Sequence, residues 1–134
     1  MKTKIVEYFN KGFIILGARK ENIESIKKDL SDKGLQHIEC IGTYKDKKKL
    51  ASFLVLDNGH NCLRQVGLNI IKTYKQETFL MKPSILEDKY AYLIDNAGKI
   101  KKYYREYVIN HKMEKYYTQL PDGNCFSFTK ESYE

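Results

Sequence analysis

The run Phe13-Ile14-Ile15-Leu16-Gly17-Ala18 constrains this chain more than any other segment. In an extended strand successive side chains alternate between faces. Phe13, Ile15 and Gly17 therefore point one way, and Ile14, Leu16 and Ala18 the other. Neither set is polar, so the strand needs cover on both sides and reads as the centre of a sheet.

The flanking segments suggest what supplies that cover. Lys4 to Asn10 carries Ile5, Tyr8 and Phe9 at helical spacing before Lys11-Gly12 breaks the pattern. Asn22 to Lys33 places Ile23, Ile26 and Leu30 on one stripe, with Gly34 where a helix end favours a left-handed residue. Gln36 to Tyr44 and Leu50 to Leu56 read as hairpin strands around an exposed lysine-rich tip, Lys45 to Lys49. Asp57-Asn58-Gly59 ends the second of these strands. Leu63, Val66, Ile70 and Tyr74 then mark another amphipathic helix, and Glu77 to Met81 a short strand closed by Pro83.

Strand, helix, strand, strand, helix, strand is the order of a split βαβ sandwich. The expected fold class is α+β, with a ferredoxin-like βαββαβ core over residues 13–81. Lys89 to Ile94 and Lys99 to Tyr107 flank the turn Asn96-Ala97-Gly98, and Tyr116 to Leu120 and Asn124 to Phe128 flank Pro121-Asp122-Gly123. These form a C-terminal β-hairpin extension over residues 89–130. Helices of such a core cover one sheet face, so the extension lies across the sheet or lengthens it, or a second chain covers it.

A chain of 134 residues has the length of one domain, 1–134. With 42% hydrophobic and 31% charged residues it belongs with globular chains, not disordered ones. Its apolar runs fall well short of the roughly 20 residues of a membrane helix. The N-terminal stretch lacks the pattern of a cleaved signal, so a cytoplasmic protein without a membrane partner is expected. Three widely spaced cysteines, Cys40, Cys62 and Cys125, indicate neither a disulfide framework nor a zinc site. The formal charge of +7 favours nucleic acid or an acidic protein as partner, while a solvated lysine-rich surface accounts for the same number.

The stretch most suggestive of binding is Gly98 to Tyr107, where Lys99, Lys101, Lys102 and Arg105 interleave with Tyr103 and Tyr104, followed by Lys112, Lys115, Tyr116 and Tyr117. Cations neutralise phosphates and tyrosine rings stack on unpaired bases, so the mixture suits single-stranded nucleic acid. In a regular strand Lys99, Lys101, Tyr103 and Arg105 share one face, and Ile100, Lys102, Tyr104 and Glu106 the other. Charge on both faces also fits an edge hairpin protected against aggregation. Phe53 stands where an RNA-recognition sheet would place a stacking ring, but inside an aliphatic run it reads as packing.

Asp57 to Cys62 sets a carboxylate, the imidazole of His60 and the thiol of Cys62 at a strand-to-helix junction. A cysteine at a helix start can be activated by such a neighbour; helix capping by Asn58 or Asn61 beside a half-buried cysteine is the plainer reading. His37 and His111 have no partner at metal-ligand spacing, and Gly17 opens no glycine-rich loop, so neither a metal nor a cofactor is expected. Arg19 is a candidate anion contact or an ion-pair partner of Glu21 or Glu24. Gln76 and Glu77 are candidate pocket residues or the start of an edge strand.

Phe13 to Arg19 followed by Asn22, Leu30 with Gly34, Gly42-Thr43-Tyr44, Ser52-Phe53-Leu54-Val55 and Tyr74-Lys75-Gln76-Glu77-Thr78 occur here in order. Through them the segment from Phe13 to Met81 resembles a family of small bacterial and phage proteins grouped as a domain of unknown function. Arg19-Lys20 and Ala51 depart from the family pattern, so no role passes to them. The resemblance implies a protein borne by a phage or mobile element, a setting in which inhibition of a host defence machine is a natural task.

The leading expectation is a non-enzymatic binding protein whose basic, tyrosine-rich extension engages nucleic acid or a nucleoprotein complex. The alternatives are a small enzyme acting on nucleotides or phosphate esters, with Arg19, His60 and Cys62 near one end of the sheet, and an oligomeric interaction module joined through an uncovered sheet face.

Overall fold

The computed structural model of the chain describes residues 2–43, 49–57, 62–84, 89–110 and 117–133. In chain order they form α1 (Lys2–Lys11), β1 (Phe13–Ala18), α2 (Ile23–Asp32), β2 (His37–Thr43), β3 (Lys49–Leu56), α3 (Leu63–Thr73), β4 (Thr78–Lys82), β5 (Ala91–Asp95), β6 (Ile100–Ile109), β7 (Tyr117–Gln119) and β8 (Cys125–Tyr133), with a 3-10 turn at Lys20–Asn22. Each element lies close to its expected place, but the assembly differs from the expected plan. Residues 45–48 of the lysine-rich tip lie outside the described residues, and Lys49 opens β3.

Every pairing is antiparallel, and the sheet closes on itself in the order β1-β3-β2-β7-β8-β6-β5-β4, with β4 returning to β1. The fold is an eight-stranded barrel carrying three short helices, and this overturns the ferredoxin-like α+β sandwich. A sandwich of that kind keeps two free sheet edges. Here β4 is bonded to β1 on one side and β5 on the other, and β2 to β3 and β7. The C-terminal strands are therefore structural members of the same sheet, bridging both edges instead of lying across a face. Closure removes the exposed backbone donors and acceptors that an open edge presents.

The barrel wall separates two apolar clusters. Outside it, Ile14 and Leu16 of β1, Phe53 and Val55 of β3 and Phe79 of β4 pack under α2 and α3, which contribute Ile26, Leu30, Val66, Ile70 and Ile71. Inside it, Phe13, Leu54, Leu56, Cys40 and Phe126 meet Ile5 and Phe9 of α1. The two-sided demand of β1 is thus met by helices on one face and barrel interior on the other; Phe13, Ile14 and Leu16 are all fully buried. Covering β1 on both faces removes it as the uncovered surface of the oligomer alternative, while the outer face of β2, which no helix among the described residues covers, leaves Ile41 43% exposed.

Ile5 and Phe9 stand one helical turn apart on the same side of α1, while Val6, turned about 80° away from them, is 49% exposed. The helix inserts the first two into one end of the barrel. Phe9 stacks on Tyr107 at 4.1 Å between ring centroids and meets Phe13 and Phe126 edge-on at 5.2 and 5.4 Å. At the other end, where Gly17 pairs with Ser52 and Gly42 with Thr118, the interior is open as a cavity of about 270 Å³. Among the described residues no helix is long and apolar enough to cross a membrane.

Candidate nucleic-acid interface

The interface is built on the β5–β6 hairpin, whose turn is fixed from three directions. The Asp95 carboxylate accepts hydrogen bonds from the backbone N–H groups of Ala97 at 2.9 Å and Lys99 at 3.0 Å. The Lys99 N–H, assisted by that of Ala97 and by the charges of Lys101 and Lys99, holds the Asp95 pKa below the ordinary carboxylate range. Gly98 takes a left-handed φ of +83° that favours glycine, and its carbonyl accepts from Arg64 Nη2 of α3 at 2.8 Å.

Past the turn the register shifts. Ile94 pairs with Ile100 but Leu93 with Lys102, so Lys101 is the extra residue of a β-bulge. One extra residue re-aims the side chains that follow. Tyr103 comes opposite Tyr92, which packs on the outer apolar cluster under α3. The Tyr103 ring lies 5.7 Å from that of Tyr90, and the Lys89 ammonium stands 5.7 Å from the centre of the Tyr90 ring, within cation–π range. Tyr90 and Tyr103 are half-buried, with Lys89, Lys99, Lys101 and Arg105 exposed around them. Paired rings rimmed by cations can receive the π-face of a base while the cations take its phosphates.

The structure divides the residues that the sequence pattern grouped. Lys99, Lys101, Tyr103 and Arg105 belong to this outer strip. Lys102 instead lines the cavity inside the barrel, with its Nζ 6.0 Å from the Tyr104 ring, and Tyr104 lies 6.0 Å from Phe128, an inner-cluster ring. These two are withdrawn from the outward surface. β6 is also no edge, since β5 and β8 flank it on either side. Lys112, Lys115 and Tyr116 lie outside the described residues, as do His60 and His111.

Arg19 and Cys62 are not brought together. Arg19 Nη2 donates to the Lys75 carbonyl at 3.3 Å, just past the end of α3, whereas Cys62 occupies the position before its first residue and packs on the outer cluster. The length of α3, roughly 16 Å for its 11 residues, separates them. Gln76 is half-buried, and its Nε2 finds no hydrogen-bond partner among the described residues. Glu77 is exposed.

Sequence reading missed Lys89, Tyr90 and Tyr92. The signal was the hairpin turn itself: counting back from Asn96-Ala97-Gly98 puts the tyrosines of one strand beside those of the other, within the one-residue uncertainty that the bulge resolves. In comparison with known proteins, no family model, curated protein or solved structure matches the chain, so its function is argued from its own residues.

Proposed function

We propose that this chain is a non-enzymatic binding protein that holds single-stranded nucleic acid against the outer face of the β5–β6 hairpin. The observation that carries the reading is the Tyr90–Tyr103 ring pair at 5.7 Å with Lys89 over one ring and exposed Lys101 and Arg105 on the strand beside it. Rigidity adds to it, because the turn is tied to α3 through Arg64 and a platform held in place loses little entropy on binding. A nucleic-acid partner places the protein inside the cell.

The test is fluorescence anisotropy with a labelled oligothymidylate across a salt series. Four cations on the strip, Lys89, Lys99, Lys101 and Arg105, give an expected slope of log K on log salt of about −2.8 for a single strand. Replacing Lys101 and Arg105 together by Ala reduces that slope by about 1.4 in magnitude. Tyr103→Ala weakens binding by about 1–3 kcal/mol without changing the slope, since stacking is not a counterion effect. Affinity that is absent, or equal in all these variants, overturns the proposal, as does capture of a partner that survives nuclease treatment.

A further inference from the structure

The outward face of α3 carries cations that nothing on the helix balances. Its sequence, Leu63 to Thr73, contains no Asp or Glu. Arg64, Gln65, Asn69 and Lys72 are exposed along it, with Lys75 just past its end. α2 is the contrast, because there carboxylates match the cations: Lys28 pairs with Asp32 at 3.0 Å, and Lys27 with Glu39 at 3.6 Å and Glu24 at 3.9 Å. Among the described residues no carboxylate pairs with Arg64, Lys72, Lys75 or Arg19.

Each end of α3 is marked by an arginine in the same arrangement. At the start, Arg64 Nη2 donates to the Gly98 carbonyl at 2.8 Å; at the finish, Arg19 Nη2 donates to the Lys75 carbonyl at 3.3 Å. A guanidinium carries several N–H donors in a planar fork, so each is oriented by one bond and has others left for a ligand oxygen. The carboxylates at the two ends are engaged: Asp95 accepts from the backbone of its own turn, and Asp29 accepts from the Tyr74 hydroxyl at 2.6 Å. Gly98 belongs to the β5–β6 turn, so the first arginine joins the helix face to the outer strip. Roughly 16 Å of helix then leads to the second, and the exposed carboxylate of Glu77 lies just beyond it.

We propose that α3 carries a phosphate track: a single strand held on the Tyr90–Tyr103 ring pair continues past the β5–β6 turn and along this face, its backbone meeting Arg64, Lys72, Lys75 and Arg19. The inference rests on the nucleic-acid reading of the strip and sets the path and length of the bound strand. Arginine forks match the paired oxygens of a phosphodiester, and the lysines between them act as point charges. α3 contains no aromatic residue, so the track holds the backbone and reads no sequence. Continuity with the ring pair selects a nucleic-acid strand over an acidic peptide, whose carboxylates would bind the helix without the rings.

The experiment is fluorescence anisotropy of the full chain with oligothymidylates of about 5 and about 12 residues across a salt series, with polyglutamate as an acidic competitor. The short strand occupies the strip and gives the slope of about −2.8 expected there; the long one also reaches the helix, and its further cations steepen the slope to about −5.6. Lys72→Gln combined with Lys75→Gln, both at exposed positions, reduces the long-strand slope by about 1.4 in magnitude and leaves the short strand unchanged. Lys27→Gln with Lys28→Gln, which removes the same charge from α2, leaves both unchanged. A long strand with no steeper slope than the short one, indifference to the Lys72 and Lys75 changes, an equal loss from the α2 changes, or displacement by polyglutamate as readily as by unlabelled strand overturns the track; the ring pair then stands if the short strand still needs Tyr103. A short strand that fails to bind while the long one keeps its dependence on Lys72 and Lys75 overturns the ring pair alone, and binding by neither strand overturns both.

Discussion

Two side chains inside the barrel show how much of its stability rests on single contacts. Phe9 joins α1 to four aromatic rings, Phe13, Tyr107, Phe126 and Phe128, and is 2% exposed. Phe9→Ala removes the ring that plugs the barrel, and should cost about 3–5 kcal/mol, a large part of the roughly 5–15 kcal/mol that holds a domain folded. Urea denaturation at constant m-value measures it. Cys40, 3% exposed, donates its thiol to the Ile38 carbonyl at 3.4 Å. Burial pushes its pKa from 9.0 up to about 12. Between those values the unfolded chain has released a proton that the folded chain keeps, so the contribution is complete below about pH 9 and stability falls as pH rises above it, by up to ~1.4 kcal/mol per unit. Comparing urea midpoints of the wild type and Cys40→Ala from about pH 8 to pH 10.5 isolates this group from the tyrosines and lysines. The wild type should lose stability more steeply, and parallel slopes would show that the thiol does not titrate as its burial requires.

Among the secondary elements, α3 and β6 show where local pattern suffices and where it does not. The α3 stripe of Leu63, Val66 and Ile70 is readable because a 3.6-residue period places all three on one face. Gly67 within it looks like a weakness, since glycine in a helix costs about 1 kcal/mol relative to alanine. Packing supplies the reason for it: a Cβ there would stand 2.5 Å from Phe79 Cε2 and 2.7 Å from Cδ2, and Phe79 is itself buried. Gly67→Ala is therefore expected to destabilise by about 1–3 kcal/mol despite the better helix propensity. In a Phe79→Leu background the same change should be neutral or favourable, and a double-mutant cycle by urea unfolding reads the difference. For β6 the residue types pointed to binding, and a strict two-residue alternation separates Lys101, Tyr103 and Arg105 from Lys102 and Tyr104 as the barrel does, but it misplaces Ile100, which packs on the outer cluster because Lys101 bulges out. No local property of Lys101, Lys102 and Tyr103 distinguishes which one lies outside the ladder. That choice is made by the partner strand, where Leu93 takes Lys102 as its neighbour after Ile94 has taken Ile100.

Across the whole chain, what local pattern leaves open is closure. The two apolar faces of β1 demand two layers, and either hairpins laid across an open sheet or strands added to its edges would supply the second. Helical and strand periods are local, whereas the β4–β5, β2–β7 and β6–β8 ladders join segments by long-range pairing that no window of sequence records. A hint was present in Phe126 and Phe128, which alternate with Ser127, and in Tyr107 and Ile109 two residues apart. The extension thus carries an apolar face of its own, and it contributes to the inner cluster around Phe9 and Phe13. An accessory hairpin would be dispensable; half of a closed wall, four strands of eight, is not. Residues 1–84 alone would lose Leu120 and Phe126 from that cluster, open both the β2 and β4 edges, and wet the inner face of β1. This fragment should show no cooperative urea transition and should associate as its concentration rises. In the full chain, hydrogen exchange should protect β1, β3 and β8 with one common free energy, because opening any of them opens the barrel. A fragment 1–84 that unfolds cooperatively as a monomer, or β8 amides that exchange far ahead of those in β1, would mean that the first four strands are a self-sufficient sheet and that closure merely adds to it.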